Sequence, residues 1–466
     1  MTHSQAEGRT QSDDAVGPSS RRATLRGWLR PGVDGRVRAL GGLPLHQALA
    51  IVRTSGSGVA ALFVTSLLGF IFWWVAARAF SPDDVGVAAA AVAAMALLAR
   101  LAAAGIGTVL AGELAARRTR PASMLVPALV TAAIIAFALG VAFAAVAPVI
   151  APALGPLAAN PPITVGFGIA VALTATGYLL DQASVGLLRG GLQLLRNVAF
   201  AVGKLVVLTA AAGAALAGGL TIIAAWVAGE VIALAALLVV VPRPKLRKSD
   251  ADWASLGAMR GEAAAHHVLN LARFAPSLAM PVIVAAEFSA EASAVFYVAF
   301  LLAAAIQPIA SSATFTLYAV ARRHPEDLAR QIRLTLGLSF AAAIPAIAIL
   351  WLFGAALLGL FGARYAAASS TLLLPLAVLA LPLIIKDHWI ALVRIKGTIA
   401  RGALLTLLAM VVEIGGAVAG GVAGGLDGLA LGWLLAASVN AVFQTPLVIR
   451  NASHGAAGHR RYIERA

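Results

Sequence analysis

Apolar runs of about 20 residues recur along most of the chain, each long enough to cross a bilayer as a helix. Short charged or Gly/Pro-containing intervals separate them. This pattern predicts twelve spans at about 56–80, 85–113, 122–150, 162–188, 192–216, 219–241, 256–284, 291–321, 331–358, 369–393, 402–424 and 427–449. No alternating ten-residue pattern of the kind a barrel needs is present. The fold class expected is therefore an all-α integral membrane protein.

The polar interval PRPKLRKSDADW, from Pro242 to Trp253, divides the spans into two sets of six. Its charge density does not fit hydrocarbon. A weak repeat links the two sets. Phe80-Ser81-Pro82-Asp83 opens the second span, and Phe288-Ser289-Ala290-Glu291 opens the eighth. Leu220 and Trp226 near the end of the first set match Leu426 and Trp433 near the end of the second. Copies of six helices keep one orientation, as halves related by an axis along the membrane normal do. The expected organisation is a basic tail over 1–50, a first lobe over 51–241, a hinge over 242–255, a second lobe over 256–449 and a basic tail over 450–466.

Composition agrees: 61% of residues are hydrophobic and 12% charged, against about 25% charged in a soluble domain. The net charge of +15 reflects topology, so no nucleic-acid partner is expected. Basic loops alternate with loops poor in Lys and Arg. The basic set holds Arg117, Arg118 and Arg120, then Arg189, the 243–248 cluster, Arg322 and Arg323, Arg394 and Lys396, and the C-terminal tail. The positive-inside rule puts that set and both termini in the cytoplasm. The N-terminal tail, with Arg21, Arg22, Arg26, Arg30, Arg36 and Arg38, is suited to anionic headgroups. No secretory signal segment is visible there. Cysteine is absent, which excludes thiol catalysis and disulfides.

Pro127, Pro276, Pro281, Pro308, Pro345, Pro375 and Pro382 fall inside spans and predict kinks. Gly416, Gly420 and Gly424 repeat at helical i, i+4 spacing and predict a close-packed face.

Four stretches carry a family resemblance. GFIFWWVAARAFSPDDVGVAAAAVAAM and the following Arg100–Gly107 segment RLAAAGIG resemble the opening hairpin and second helix of bacterial polysaccharide exporters. HHVLNLARFAPSLAMPVIVAAEFSAEASAVFYVAF is similar to their seventh and eighth helices, and LFGARYAAASSTLLLPLAVLALP to the run into the tenth. The resemblance is to the lipid-linked oligosaccharide flippases of the multidrug/oligosaccharidyl-lipid/polysaccharide exporter superfamily. It implies two pseudo-symmetric six-helix lobes around a central cavity, opening alternately to each side of a bacterial plasma membrane. It also implies a polyprenyl-pyrophosphate-linked glycan as substrate, with glycan-assembly proteins as partners and no cofactor.

Ionisable side chains at depth are functional candidates. Arg100 is placed near the middle of the second span, and Arg273 along the seventh. Lys204, His266, His267 and Lys386 are placed in the inner halves of theirs. These six are expected to line one cationic cavity facing a pyrophosphate. Asp181, Glu230, Asp387 and Glu413 are candidate ion-coupling carboxylates. A structural reading stands beside each: Lys204 paired with Asp181, Lys386 neutralised by Asp387, one histidine of the pair packing inside, and the glutamates in interhelical hydrogen bonds.

Two other function classes remain open. An ion-coupled exporter of small drugs would share the superfamily. A membrane-embedded glycan ligase or polymerase would need a catalytic set on outer loops, which offer only Asp83, Asp84, Glu287, Glu291 and Asp427. No catalytic or metal-ligating set is assigned. No Walker A loop is present for direct use of ATP.

Overall fold

The computed structural model describes residues 65–107, 110, 114, 121–187, 189–241, 253, 260–321 and 325–453. The N-terminal tail, residues 454–466 and the expected hinge apart from Trp253 lie outside them. Among the described residues every regular element is helical. The first lobe holds α1 (Thr65–Ala79), α2 (Pro82–Ala102), α3 (Pro121–Ile150), α4 (Pro161–Gly186), α5 (Gly190–Gly213) and α6 (Gly219–Val240). The second holds α7 (Arg260–Glu287), α8 (Ala290–Ala304), α9 (Gln307–Ala321), α10 (Leu328–Phe361), α11 (Ala363–Val378), α12 (Ala380–Ile395) and α13 (Ile399–Ser453).

Among the described residues these elements follow the twelve expected spans, with the second interrupted after Ala102 and two others divided. The eighth breaks into α8 and α9 at Ala305 and Ile306, and the tenth into α11 and α12 at Leu379. Each break sits a few residues before a proline, Pro308 or Pro382, whose ring removes a backbone donor from the ladder. The other five prolines named above lie within continuous helices. The eleventh and twelfth spans run together as α13, interrupted by non-helical Gly424 and by Gly425 at φ 63°. Large apolar side chains such as Val149, Val239, Trp351 and Phe443 are exposed along the helices. In a multi-pass protein these meet lipid.

The glycine stripe of the eleventh span is a packing face. A Cβ on Gly420 would stand 2.1 Å from the carbonyl oxygen of Gly428, and one on Gly432 would stand 2.2 Å from that of Gly416. The two limbs of α13 therefore pack backbone to backbone. Gly424 does not join that face; it supplies the turn.

The repeat is visible in the helix ends. Ser81 caps α2 by accepting from the N–H of Asp84, and Ser289 caps α8 by accepting from the N–H of Ala292. Both helices are then interrupted, though at different lengths. α2 runs 21 residues before the chain turns through Ala104 (φ 44°) and Gly105 (φ 73°), and α8 runs 15 residues before the turn at Ala305 and Ile306. The shared serine caps, roughly 200 residues apart, are the kind of correspondence expected of internal repeats.

α2 packs against α7 and α8, so it carries much of the junction between the lobes. Near its N-terminal end the contact is backbone on backbone: a Cβ on Gly86 would lie 1.7 Å from the carbonyl oxygen of Ala290. α1 adds Trp73 against Tyr297, with centroids 4.6 Å apart. It also adds Phe70 against Phe361, and Trp74 donating from Nε1 to the Leu360 carbonyl at 2.9 Å.

Candidate functional site

Each lobe buries a polar network that an apolar span would hold only if its members were paired. In the first lobe the centre is Arg196 on α5. Its Nε and Nη2 donate to the two carboxylate oxygens of Asp181 on α4, at 2.8 and 2.6 Å. Nη1 donates to Glu230 on α6 at 3.0 Å. Gly177 makes room, since a Cβ there would meet Nη1 at 2.6 Å. The planar fork matches a carboxylate, which lysine cannot do.

Arg196 takes the partner expected for Lys204. Among the described residues Lys204 forms no ion pair with Asp181. It lies just past the midpoint of α5. Its ammonium instead sits among aromatic rings: Trp226 at 3.6 Å, Phe200 at 4.5 Å and Phe72 at 4.8 Å from the centroids. Lys204, Trp226, Trp73, Tyr297 and Phe70 line a cavity of about 480 Å³ between α1, α5 and α6 on one side and α8 and α9 on the other.

In the second lobe Arg273 on α7 forks onto Asp387 on α12, Nε to Oδ1 at 2.6 Å and Nη2 to Oδ2 at 2.8 Å. Gln307, at the start of α9, also donates to Asp387. Lys386 pairs with Glu413 on α13 at 2.8 Å, and both are buried. Asn440 donates to the same glutamate oxygen and to the Ala409 carbonyl. Local neutralisation of Lys386 by Asp387 is thus replaced by two separate pairs. Successive helical residues point about 100° apart, so each reaches a different neighbour. Asp387 lies one repeat interval after Asp181 in sequence, and each accepts a two-pronged arginine.

Between the lobes lies a third environment. Arg100, in the last turn of α2, has its Cζ 5.2 Å from the ring centroid of Phe274 on α7 and 5.4 Å from that of Tyr178 on α4. Its Nη1 makes a long bond of 3.4 Å to the Ala96 carbonyl, and its buried Nε has no partner. Arg273 approaches the same Phe274 ring, with Cζ at 4.3 Å. Arg394 of α12 donates to Asn270, one turn before Phe274. Arg100, Tyr178, His267, Asn270 and Phe274 enclose a space of about 10 Å³, enough for about one water. His266 is buried beside it in sequence, and His267 is half-buried at the wall.

Five of the six groups expected in one cavity occupy separate places, and the sixth, His266, is buried on α7. Arg100, His267 and Arg273 gather at the lobe junction, Lys204 lines the aromatic cavity, and Lys386 is held in the second lobe. Sequence reasoning missed Arg196, Arg394 and His388. The signal that picked out Lys204, a charge inside an apolar run, also marks Arg196. His388 is fully buried, with ring nitrogens 2.9 Å from the Ile384 carbonyl and 3.2 Å from the Thr335 hydroxyl.

Solved membrane transporters resemble this fold, three of them as follows. A multidrug resistance MATE family transporter of the MOP superfamily, in its inward-facing conformation, gives a TM-score of 0.64 at 16% identity over 87% of this chain and 98% of that one. The fold is that of the MATE transporters. The outward-facing conformation of a multidrug resistance MATE family transporter gives 0.58 at 17% identity, over 88% of this chain and 97% of the other. A MOP superfamily transporter from Pyrococcus furiosus, described as having a binding pocket of reverse polarity that suggests a different function, gives 0.60 at 17% identity, over 87% and 96%. No protein-family model and no curated protein sequence matches. Within the MATE fold, the Arg100–Phe274 contact joins the second and seventh helices, one from each lobe.

Proposed function

We propose that this chain is an alternating-access flippase that moves a lipid-linked glycan from the inner to the outer leaflet of a bacterial plasma membrane. The observation that supports this most is the excess of guanidinium groups at the lobe junction. Arg100 and Arg273 stack on one phenylalanine, with Arg394 one turn away, and Asp387 is the carboxylate bonded to this group. Arginine forks suit phosphate oxygens, and a dry wall strengthens their attraction for an entering pyrophosphate.

The junction is closed, with room for about one water in the space beside Arg100. Binding a phosphate there requires the lobes to part, so the account assigns Arg100 and Arg273 to a site that opens as the lobes rock. Residues 242–255 are the covalent hinge, and both termini lie in the cytoplasm. Of the four candidate coupling carboxylates, Glu413 keeps one buried oxygen, Oε2, without a partner, and is our choice for a coupling proton. The other three are held by Arg196 or Arg273.

A second reading, an ion-coupled exporter of small molecules, is favoured by the aromatic cavity and by the multidrug transporters that share the fold. Reconstitution into vesicles with a fluorescent polyprenyl-pyrophosphate oligosaccharide tests the choice. Transfer of the glycan to the opposite leaflet supports the flippase. No transfer, together with saturable export of an organic cation, favours the second reading.

A further inference from the structure

Lys204 is 3% exposed, surrounded by three aromatic faces, and part of the wall of the interlobe cavity. Among the described residues no carboxylate forms an ion pair with it. Glu230, whose charge reaches Lys204 from beyond ion-pair distance, is engaged by Arg196. Gly229 lets the two helices close around the lysine, because a Cβ there would lie 2.7 Å from the Cβ of Lys204. The arrangement is confined to one lobe. Trp433, which matches Trp226 in the repeat, is fully buried and packs on Phe300.

Ring faces grouped in this way attract positive charge, and proteins use such cages to hold organic cations. Here the cage already contains a cation that is tethered to the chain. We propose that Lys204 sets the charge selectivity of this cavity: its ammonium fills the aromatic cage, excludes organic cations, and favours apolar ligands bearing an anionic group. Two effects act together. The tethered ammonium occupies the site by position, at no cost in translational freedom. Its charge, beside a low-dielectric wall, also repels a second cation and attracts an anion. The cavity supplies the apolar part through Trp73, Tyr297, Phe70 and Leu301.

The inference is separate from the choice of cargo. It does not need glycan flipping to hold, and the titration below decides it directly, whereas export of an organic cation through this cavity would count against both. The full-length protein in a neutral detergent is titrated with tetraphenylphosphonium and with dodecyl phosphate, reading tryptophan fluorescence. Trp226→Phe assigns the signal to the cavity. The wild type should bind dodecyl phosphate about tenfold more tightly than the phosphonium. Lys204→Ala empties the cage and should reverse that order, while Lys204→Arg should keep it. Should Lys204→Ala not fold, Lys204→Met keeps the chain length without charge and should lose dodecyl phosphate binding. Phosphonium binding to the wild type as tight as to Lys204→Ala would overturn the proposal. So would dodecyl phosphate binding that neither uncharged variant weakens.

Discussion

Arg100 of the first lobe places its guanidinium carbon 5.2 Å from the ring centroid of Phe274 in the second. Arg273 approaches the same ring at 4.3 Å. The two arginines differ in what they leave behind when removed. Arg273 is forked onto Asp387, whereas Arg100 has no carboxylate partner among the described residues and an unbonded Nε. Arg100→Ala should therefore abolish transport while leaving thermal stability and expression near wild type. Arg273→Ala should lower stability as well, because it removes the guanidinium fork from buried Asp387 and leaves the Gln307 bond, at a cost of up to about 3–5 kcal/mol. Arg273→Ala combined with Asp387→Asn should recover stability but not transport. Melting in detergent, paired with a transport assay, separates these outcomes.

Arg196 is the corresponding structural test in the first lobe. Arg196→Met leaves half-buried Asp181 and buried Glu230 without their shared donor. A loss of about 3 kcal/mol or more is expected, seen as a lower melting temperature and a smaller folded fraction on size exclusion. Arg196→Lys should recover only part of it, since an ammonium is a point charge and cannot fork onto a carboxylate while reaching a second one. Full stability in Arg196→Met would show the network to be dispensable.

The all-helical membrane fold was legible in the sequence, since nine of the described helices are long and apolar enough to cross a bilayer. So was the glycine face, because Gly416 and Gly420 repeat at one helical turn. The breaks in the eighth and tenth spans were not located, since a proline marks a weak point without saying whether the helix bends or separates. The break after Arg100 has no proline at all; Ala104 and Gly105 make it with positive φ. Pairing was the least legible feature. Asp181 and Arg196 stand at similar distances from the turn between α4 and α5, whereas Lys204 lies about 12 Å further along α5. Lys386 and Asp387 are neighbours in sequence, yet helix geometry sends them to Glu413 and Arg273.

Gly86 tests the contact between the lobes near the start of α2. Its missing Cβ leaves room for the Ala290 carbonyl, and no side-chain rotation can relieve a backbone clash. Gly86→Val should separate the N-terminal ends of α2 and α8. The chain contains no cysteine, so single cysteines at Ser81 or Ser289 report accessibility without background. Faster labelling by an impermeant maleimide in Gly86→Val is the expected result. Unchanged labelling would mean that the contact does not hold the lobes together.

Topology is checked in the same cysteine-free background. Single cysteines at Arg30, Lys248 and Gly455 should react only after the cells are permeabilised, as loop charge requires. Reaction of any of the three from outside intact cells would reverse the orientation assumed for flipping.

The most direct measurement is leaflet transfer itself. Vesicles containing the purified full-length chain are loaded with a fluorescent polyprenyl-pyrophosphate oligosaccharide, and an impermeant quencher counts the fraction that reaches the outer leaflet. The account predicts transfer well above protein-free vesicles with the wild type, and transfer at the protein-free level with Arg100→Ala, whose melting temperature should be unchanged. Equal transfer by the wild type and Arg100→Ala, or no transfer by a well-folded wild type, would contradict it.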